Sequence, residues 1–80
     1  MNEKIELKNF CKNVEKLMQD YSLSNRQMMK IMHVSYKSLI SIKNGVIPKR
    51  VSTTVLFYLN RHLNVDMASL FTEKYKISKK

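Results

Sequence analysis

Glycine and proline occur once each in this chain of 80 residues, cysteine once, and tryptophan not at all. Folds dense in β-turns draw on Gly and Pro at every corner, so their scarcity points to helices. A single cysteine, Cys11, excludes an intrachain disulfide. It also excludes a zinc finger, because one Cys and two distant histidines, His33 and His62, do not make a ligand set. No metal and no cofactor are expected. A lone thiol suits a reducing compartment, which predicts a cytoplasmic protein. No apolar run approaches the ~20 residues that span a bilayer. The start, "MNEKIELKNF", mixes in acids and lacks a long apolar stretch, so no signal peptide is expected. There is no Gly-rich phosphate loop, no nucleophile elbow and no carboxylate pair, so no enzyme is expected.

Acidic residues are also missing, and from one place. Residues 21–50 hold Arg26, Lys30, Lys37, Lys43, Lys49 and Arg50 with no Asp or Glu. Residues 1–20 balance four lysines against four acids, and residues 51–71 balance Arg61 against Asp66. The end, 72–80, adds four lysines against Glu73. The net charge of +9 therefore sits on one internal block and on the tail. Thirty residues free of acid are a footprint for a polyanion more than a device for solubility.

What is present is helical grammar. Phe10, Val14, Leu17, Met18 and Tyr21 recur at spacings of 3 and 4, which marks one apolar helix face. Ser24 reads as an N-cap, with Gln27 completing a capping box and Leu23 stapled to Met28. Ser35, Ser52 and Asp66 repeat the pattern, with Val34 and Leu39, Val51 and Leu56, and Val65 and Leu70 as their staples. The stops agree, with Gly45 and Asn64 at C′ positions and Pro48 in the connection that follows. Five helices are predicted, over about 4–21, 25–32, 36–44, 53–63 and 67–73. They form one all-α domain over 1–73, a compact five-helix bundle. Residues 74–80 form a basic, frayed tail. The methionines, Met28 and Met32 among them, are core filler, and Cys11 is a buried small residue.

Only His33-Val34-Ser35 separates the second and third helices. Two helices joined so tightly are a helix-turn-helix unit, in which the second helix enters a DNA major groove. The stretch "LSNRQMMKIMHVSYKSLISIKNGVIPK" resembles the helix-turn-helix of the Cro/repressor-type (XRE) DNA-binding family, which includes the lambdoid phage repressors. "LFYLNRHLNVDMASLF" looks like that family's closing helices, and the resemblance covers about residues 10–71. It implies a lambda-repressor-like DNA-binding domain. Three positions depart from the family pattern: Met29 stands for a small Ala, His33 for the turn Gly, and Lys43 for an acid. The loop after Gly45 is a few residues longer.

Val34, Leu39 and Ile42 fit the inner face of the third helix, which leaves Tyr36, Lys37, Ile40 and Ser41 outward. These align with the family's base-reading positions. Lys37 is suited to guanine O6 or N7, and Ile40 to a thymine methyl. Phosphate contacts are expected from Ser35, Ser38, Lys43 and Asn44 around that helix and from Lys49 and Arg50 in the loop. Asn25 matches, by the resemblance, the family's phosphate-binding Gln. The expected function is that of a sequence-specific regulator of transcription, a repressor, bound to double-stranded DNA as a homodimer. Leu70, Phe71, Tyr75 and Ile77 are the dimer candidates. The competing expectation is a protein-interaction module on the same fold, antitoxin-like or inhibitory, because Ile31, Ile40 and Ile47 would lie near the basic face.

Overall fold

The computed structural model describes residues 3–49 and 51–78, with side chains described from Glu6 onward. Four α-helices run in order: α1 (Glu3–Asp20), α2 (Asn25–Met32), α3 (Tyr36–Lys43) and α4 (Thr54–Leu63). The chain is all-helical in character and its described residues form no strand beyond one isolated bridge.

The caps set these boundaries. Ser24 Oγ accepts from the Gln27 amide at 3.2 Å, and Gln27 Oε1 accepts from the Ser24 amide at 2.9 Å. Both halves of the expected capping box are therefore made. Ser35 Oγ accepts from the Ser38 amide at 3.2 Å. The expected Ser52 cap is a correction: Thr53 stands at the N-cap without a side-chain cap bond, and Ser52 Oγ reaches only the Thr54 amide at 3.4 Å. The first turn of α4 is wound tightly, with Val55 N–H on the Ser52 carbonyl and Leu56 N–H on that of Thr53.

The helix ends use the left-handed region four times, at Ser22, His33, Gly45 and Asn64, with φ of 54°, 59°, 93° and 57°. Only one of these is glycine. At Ser22 the Leu23 amide reaches back to the Met18 carbonyl at 2.8 Å, and the Ser22 amide to that of Gln19 at 3.2 Å. This closes α1 as a Schellman motif. Tyr21, expected on the apolar stripe, is thereby turned outward and is exposed.

The fifth helix is a correction. Residues 67–73 hold a single 3₁₀ turn, Ala68–Phe71, capped by Asp66 Oδ2 on the Ser69 amide at 3.1 Å. The reason lies in the carbonyls. Four in succession, from Ser69 to Thr72, are taken by side chains: Thr72 Oγ1 on Ser69, Asn13 Nδ2 on Leu70, Asn9 Nδ2 on Phe71 and Asn13 Nδ2 on Thr72. They are satisfied without an α-helix continuing beyond them. The tail is a second correction. Residues 74–78 are fastened down, not frayed. Val65 and Ile77 form an antiparallel bridge, the Asp66 amide donates to the Lys76 carbonyl at 2.8 Å, and the Tyr75 amide donates to Asn13 Oδ1 at 3.1 Å.

The core collects Phe10, Val14, Leu17 and Met18 from α1, Met28 and Met32 from α2, Leu39 and Ile42 from α3, and Val55, Leu59 and Leu63 from α4. Val65 and Leu70 close it. α1 packs against α3 and the 3₁₀ turn, and α2 against α3 and α4. Cys11 is buried among them, and burial pushes its thiol pKa up, so it stays protonated and unreactive. His33 lies flat on Tyr58, with ring centroids 4.1 Å apart, which ties the α2–α3 turn to α4.

Candidate nucleic-acid interface

α3 buries one side and shows the other. Ser38, Leu39 and Ile42 are buried, and Leu39 and Ile42 are wholly so. On the opposite side Tyr36 is 56% exposed, Lys37 and Asn44 are exposed, and Ile40 is half-buried. The outward set expected from the sequence is thus brought to one side of one short helix. Eight residues at 1.5 Å each make α3 about 12 Å long, close to the width of a major groove.

Two members of the expected set differ in what they offer. Ser41 is half-buried and donates its hydroxyl to the Val46 carbonyl at 3.1 Å, so only its lone pairs remain for a ligand. Ser38 is buried and faces inward. Its hydroxyl accepts from Ser35 Oγ at 3.2 Å inside the cap, and its burial keeps it from reaching a phosphate.

The remaining phosphate candidates fall into two groups. Lys43 and Asn25 meet: Lys43 Nζ donates to Asn25 Oδ1 at 3.0 Å, across from the last turn of α3 to the first turn of α2. The chain thus sets a cation beside the start of α2. Lys49 is exposed in the loop after α3. Arg50, also expected to touch phosphate, lies outside the described residues.

The dimer candidates scatter. Leu70 is fully buried in the core, which removes it from any surface. Phe71 is half-buried and stacks on Phe10 with centroids 5.7 Å apart. Tyr75 is half-buried and gives its hydroxyl to Asp20. Ile77 is 41% exposed but held by its bridge to Val65.

Sequence reasoning missed a different apolar surface. A groove of about 170 Å³ opens between the first half of α1, the loop before α4 and the 3₁₀ turn. Leu7, Ile47, Val51, Leu56 and Phe71 line it, and among the described residues no charged side chain does. Its residues come from three separate segments, so no single periodic pattern marks it. Among the described residues no group of three His, Cys, Asp or Glu is placed to hold a metal, and no helix is long and apolar enough to cross a membrane. Comparison with protein-family models, with curated proteins and with solved structures found no match in any of the three.

Proposed function

We propose that this chain is a sequence-specific regulator that binds double-stranded DNA, a cytoplasmic repressor acting as a homodimer. In this reading α2 and α3 are a helix-turn-helix and α3 enters the major groove. One observation carries it: Tyr36 and Lys37 project from the exposed side of α3, inside a block of thirty residues without an acid. The resemblance to the Cro/repressor-type helix-turn-helix supports the same reading. Lys37 serves as a base reader, Tyr36 as a reader of a base edge or phosphate, and Ile40 as the apolar contact for a thymine methyl. Asn25, Ser35, Lys43, Asn44 and Lys49 set the register on the backbone.

A dimer places two copies of α3 about one helical turn apart, ~34 Å, and so reads a palindrome. We assign the second copy to the groove beside Leu7 and Ile47. Its described lining is apolar, so on a chain of net charge +9 it is the face that offers two copies apolar contact.

The test is selection of bound sequences from a random duplex library near physiological salt, for the wild type and for Tyr36→Ala/Lys37→Ala. An enriched palindromic motif, lost in the double variant, supports the reading. Retention without a motif leaves only a basic surface. Lys37→Ala alone is expected to weaken specific binding by roughly 1–3 kcal/mol and to relax the motif at one position. An equal loss on random duplex assigns Lys37 to phosphate instead.

The second reading, a protein-interaction module, is favoured by Val46 and Phe57, each 59% exposed, and by Ile40 on the face of α3. Salt separates the two. Six to ten phosphate contacts lose about a thousandfold or more in affinity between 50 and 200 mM salt, and an apolar interface loses far less.

A further inference from the structure

The first helix looks electrically silent in the sequence, because its lysines and acids cancel. Around the helix they do not cancel. Lys8 and Lys12 lie four residues apart, on one side of α1, and that side faces the end of α3. There a depression of about 270 Å³ is lined by Lys8, Lys12 and Lys43, with Cys11, Glu15, Asn44 and Gly45 completing it. Three cations meet one acid. The ion pair found among the described residues is elsewhere, between Lys16 and Asp20 at 3.5 Å. Asp20 is thus drawn to Lys16 and to Tyr75, and it neutralises nothing in the depression.

The end of a helix ordinarily repels an anion, because its last carbonyls point outward. Here three of them, on Ile40, Ser41 and Ile42, accept from backbone amides. The Val46 amide donates to Ser41, the Asn44 amide to Ile40 and the Gly45 amide to Ile42, all between 2.9 and 3.0 Å. The floor is open: apart from its own chain neighbours, Gly45, at φ of 93°, has no atom within 4 Å of where a Cβ would stand. An anion entering there is held by the lysine ammonium groups, since the amides of residues 44–46 are already spent.

We infer that this depression is a phosphate-backbone site for double-stranded DNA, in which Lys8 and Lys12 of α1 extend the contact made by Lys43. It rests on the reading of α3 as the groove-entering helix and adds a partner surface on a helix outside that unit. A strand whose phosphate meets Lys43 and Asn25 continues along α1 to Lys12 and Lys8. The contact is blind to sequence, since lysine on phosphate carries no base information.

The test is anisotropy titration of wild type, Lys8→Gln/Lys12→Gln and Glu15→Gln. Each is titrated against the selected operator and a scrambled duplex across a salt series. Thermal melts confirm that these exposed substitutions leave the fold in place. The double variant is expected to weaken both duplexes by the same factor and to flatten the log–log salt slope by about 2, near 0.9 for each lost contact. Glu15→Gln, which removes the opposing acid, is expected to tighten both. A double variant with wild-type affinity and slope overturns the inference and leaves the α3 reading standing. Wild-type protein that binds neither duplex overturns both.

Discussion

Lys43 Nζ rests 3.0 Å from Asn25 Oδ1, so the last turn of α3 is fastened to the first turn of α2 by two side chains that both face the proposed backbone track. They act as one unit. Asn25 fixes the ammonium, and the ammonium supplies the charge. In DNA binding their effects are therefore expected to be non-additive. Lys43→Ala lowers affinity for every duplex and reduces the salt slope by about 1. Asn25→Ala does less. The double variant falls short of the sum by about 0.5 kcal/mol or more. A cycle that closes to zero would show that the two reach DNA independently.

Asn13 does more for the fold than any cap. It is buried, its Nδ2 donates to the Leu70 and Thr72 carbonyls at 2.8 and 2.9 Å, and its Oδ1 accepts from the Tyr75 amide at 3.1 Å. It joins the middle of α1 to the 3₁₀ turn and the tail. Removing it orphans three backbone groups, of which the buried ones cost about 1–3 kcal/mol each. Asn13→Ala is expected to lose about 2–4 kcal/mol in urea unfolding and to speed hydrogen exchange at Tyr75. Asn13→Leu is expected to be no better, because an apolar side chain leaves the same groups unpaired. A loss below about 1 kcal/mol would mean that water replaces the amide.

The contrast between Asn13 and Ser24 shows what was legible in the sequence. Ser24 acts three residues away, on Gln27, and local grammar of that kind was readable for α1 to α4 and for the outward side of α3. Asn13 acts 62 residues away, on Tyr75, and nothing near it in the chain announces a partner. That distant bond, with its companions to Leu70 and Thr72, replaced the expected fifth helix with a short turn and pinned a tail expected to fray. The Lys8–Lys12 side of α1 stayed hidden for another reason. Charge counted along a segment averages around the helix, and only packing reveals which side meets α3. Ser38 illustrates the same limit, since a serine between Lys37 and Leu39 reads as polar surface until burial is known.

The tail latch has a pH signature. Tyr75 is pushed up to about 12, first by burial and then by its hydrogen bond to Asp20. Asp20 is held below its ordinary value, chiefly by that same hydrogen bond and then by Lys16 nearby. For Tyr75 the raised folded value means that its contribution is intact below the ordinary tyrosine pKa of about 10. It is lost as pH climbs through about 12. For Asp20 the lowered value means a contribution present above about pH 4 and lost as pH falls through the folded value. Ultraviolet titration is expected to show a tyrosine step near pH 12, and Tyr75→Phe should remove it. A titration that Tyr75→Phe leaves unchanged near pH 12 would mean that the latch is open in solution.

The homodimer assignment stands or falls on the groove beside Leu7. A stable dimer buries about 1,200 Å² in total, near 600 Å² on each partner. The protomer exposes 5694 Å², so about a tenth of its surface must be apolar enough and free enough of charge to be covered. The groove supplies the centre of such a patch with Ile47, Val51, Leu56 and Phe71, and Leu7 and Val46, 45% and 59% exposed, extend it outward. Leu7 lies on the surface of α1, outside the packed core, so Leu7→Glu leaves the monomer fold intact while placing a carboxylate in the proposed contact. Burying that charge without a partner is expected to weaken the dimer by about 2 kcal/mol or more, which is roughly thirtyfold. Sedimentation equilibrium should show the variant as a monomer at concentrations where the wild type is paired. Binding to a full palindrome should then fall to the affinity of a single half-site, while the motif recognised by α3 stays the same. A variant that still dimerises normally moves the interface away from this groove.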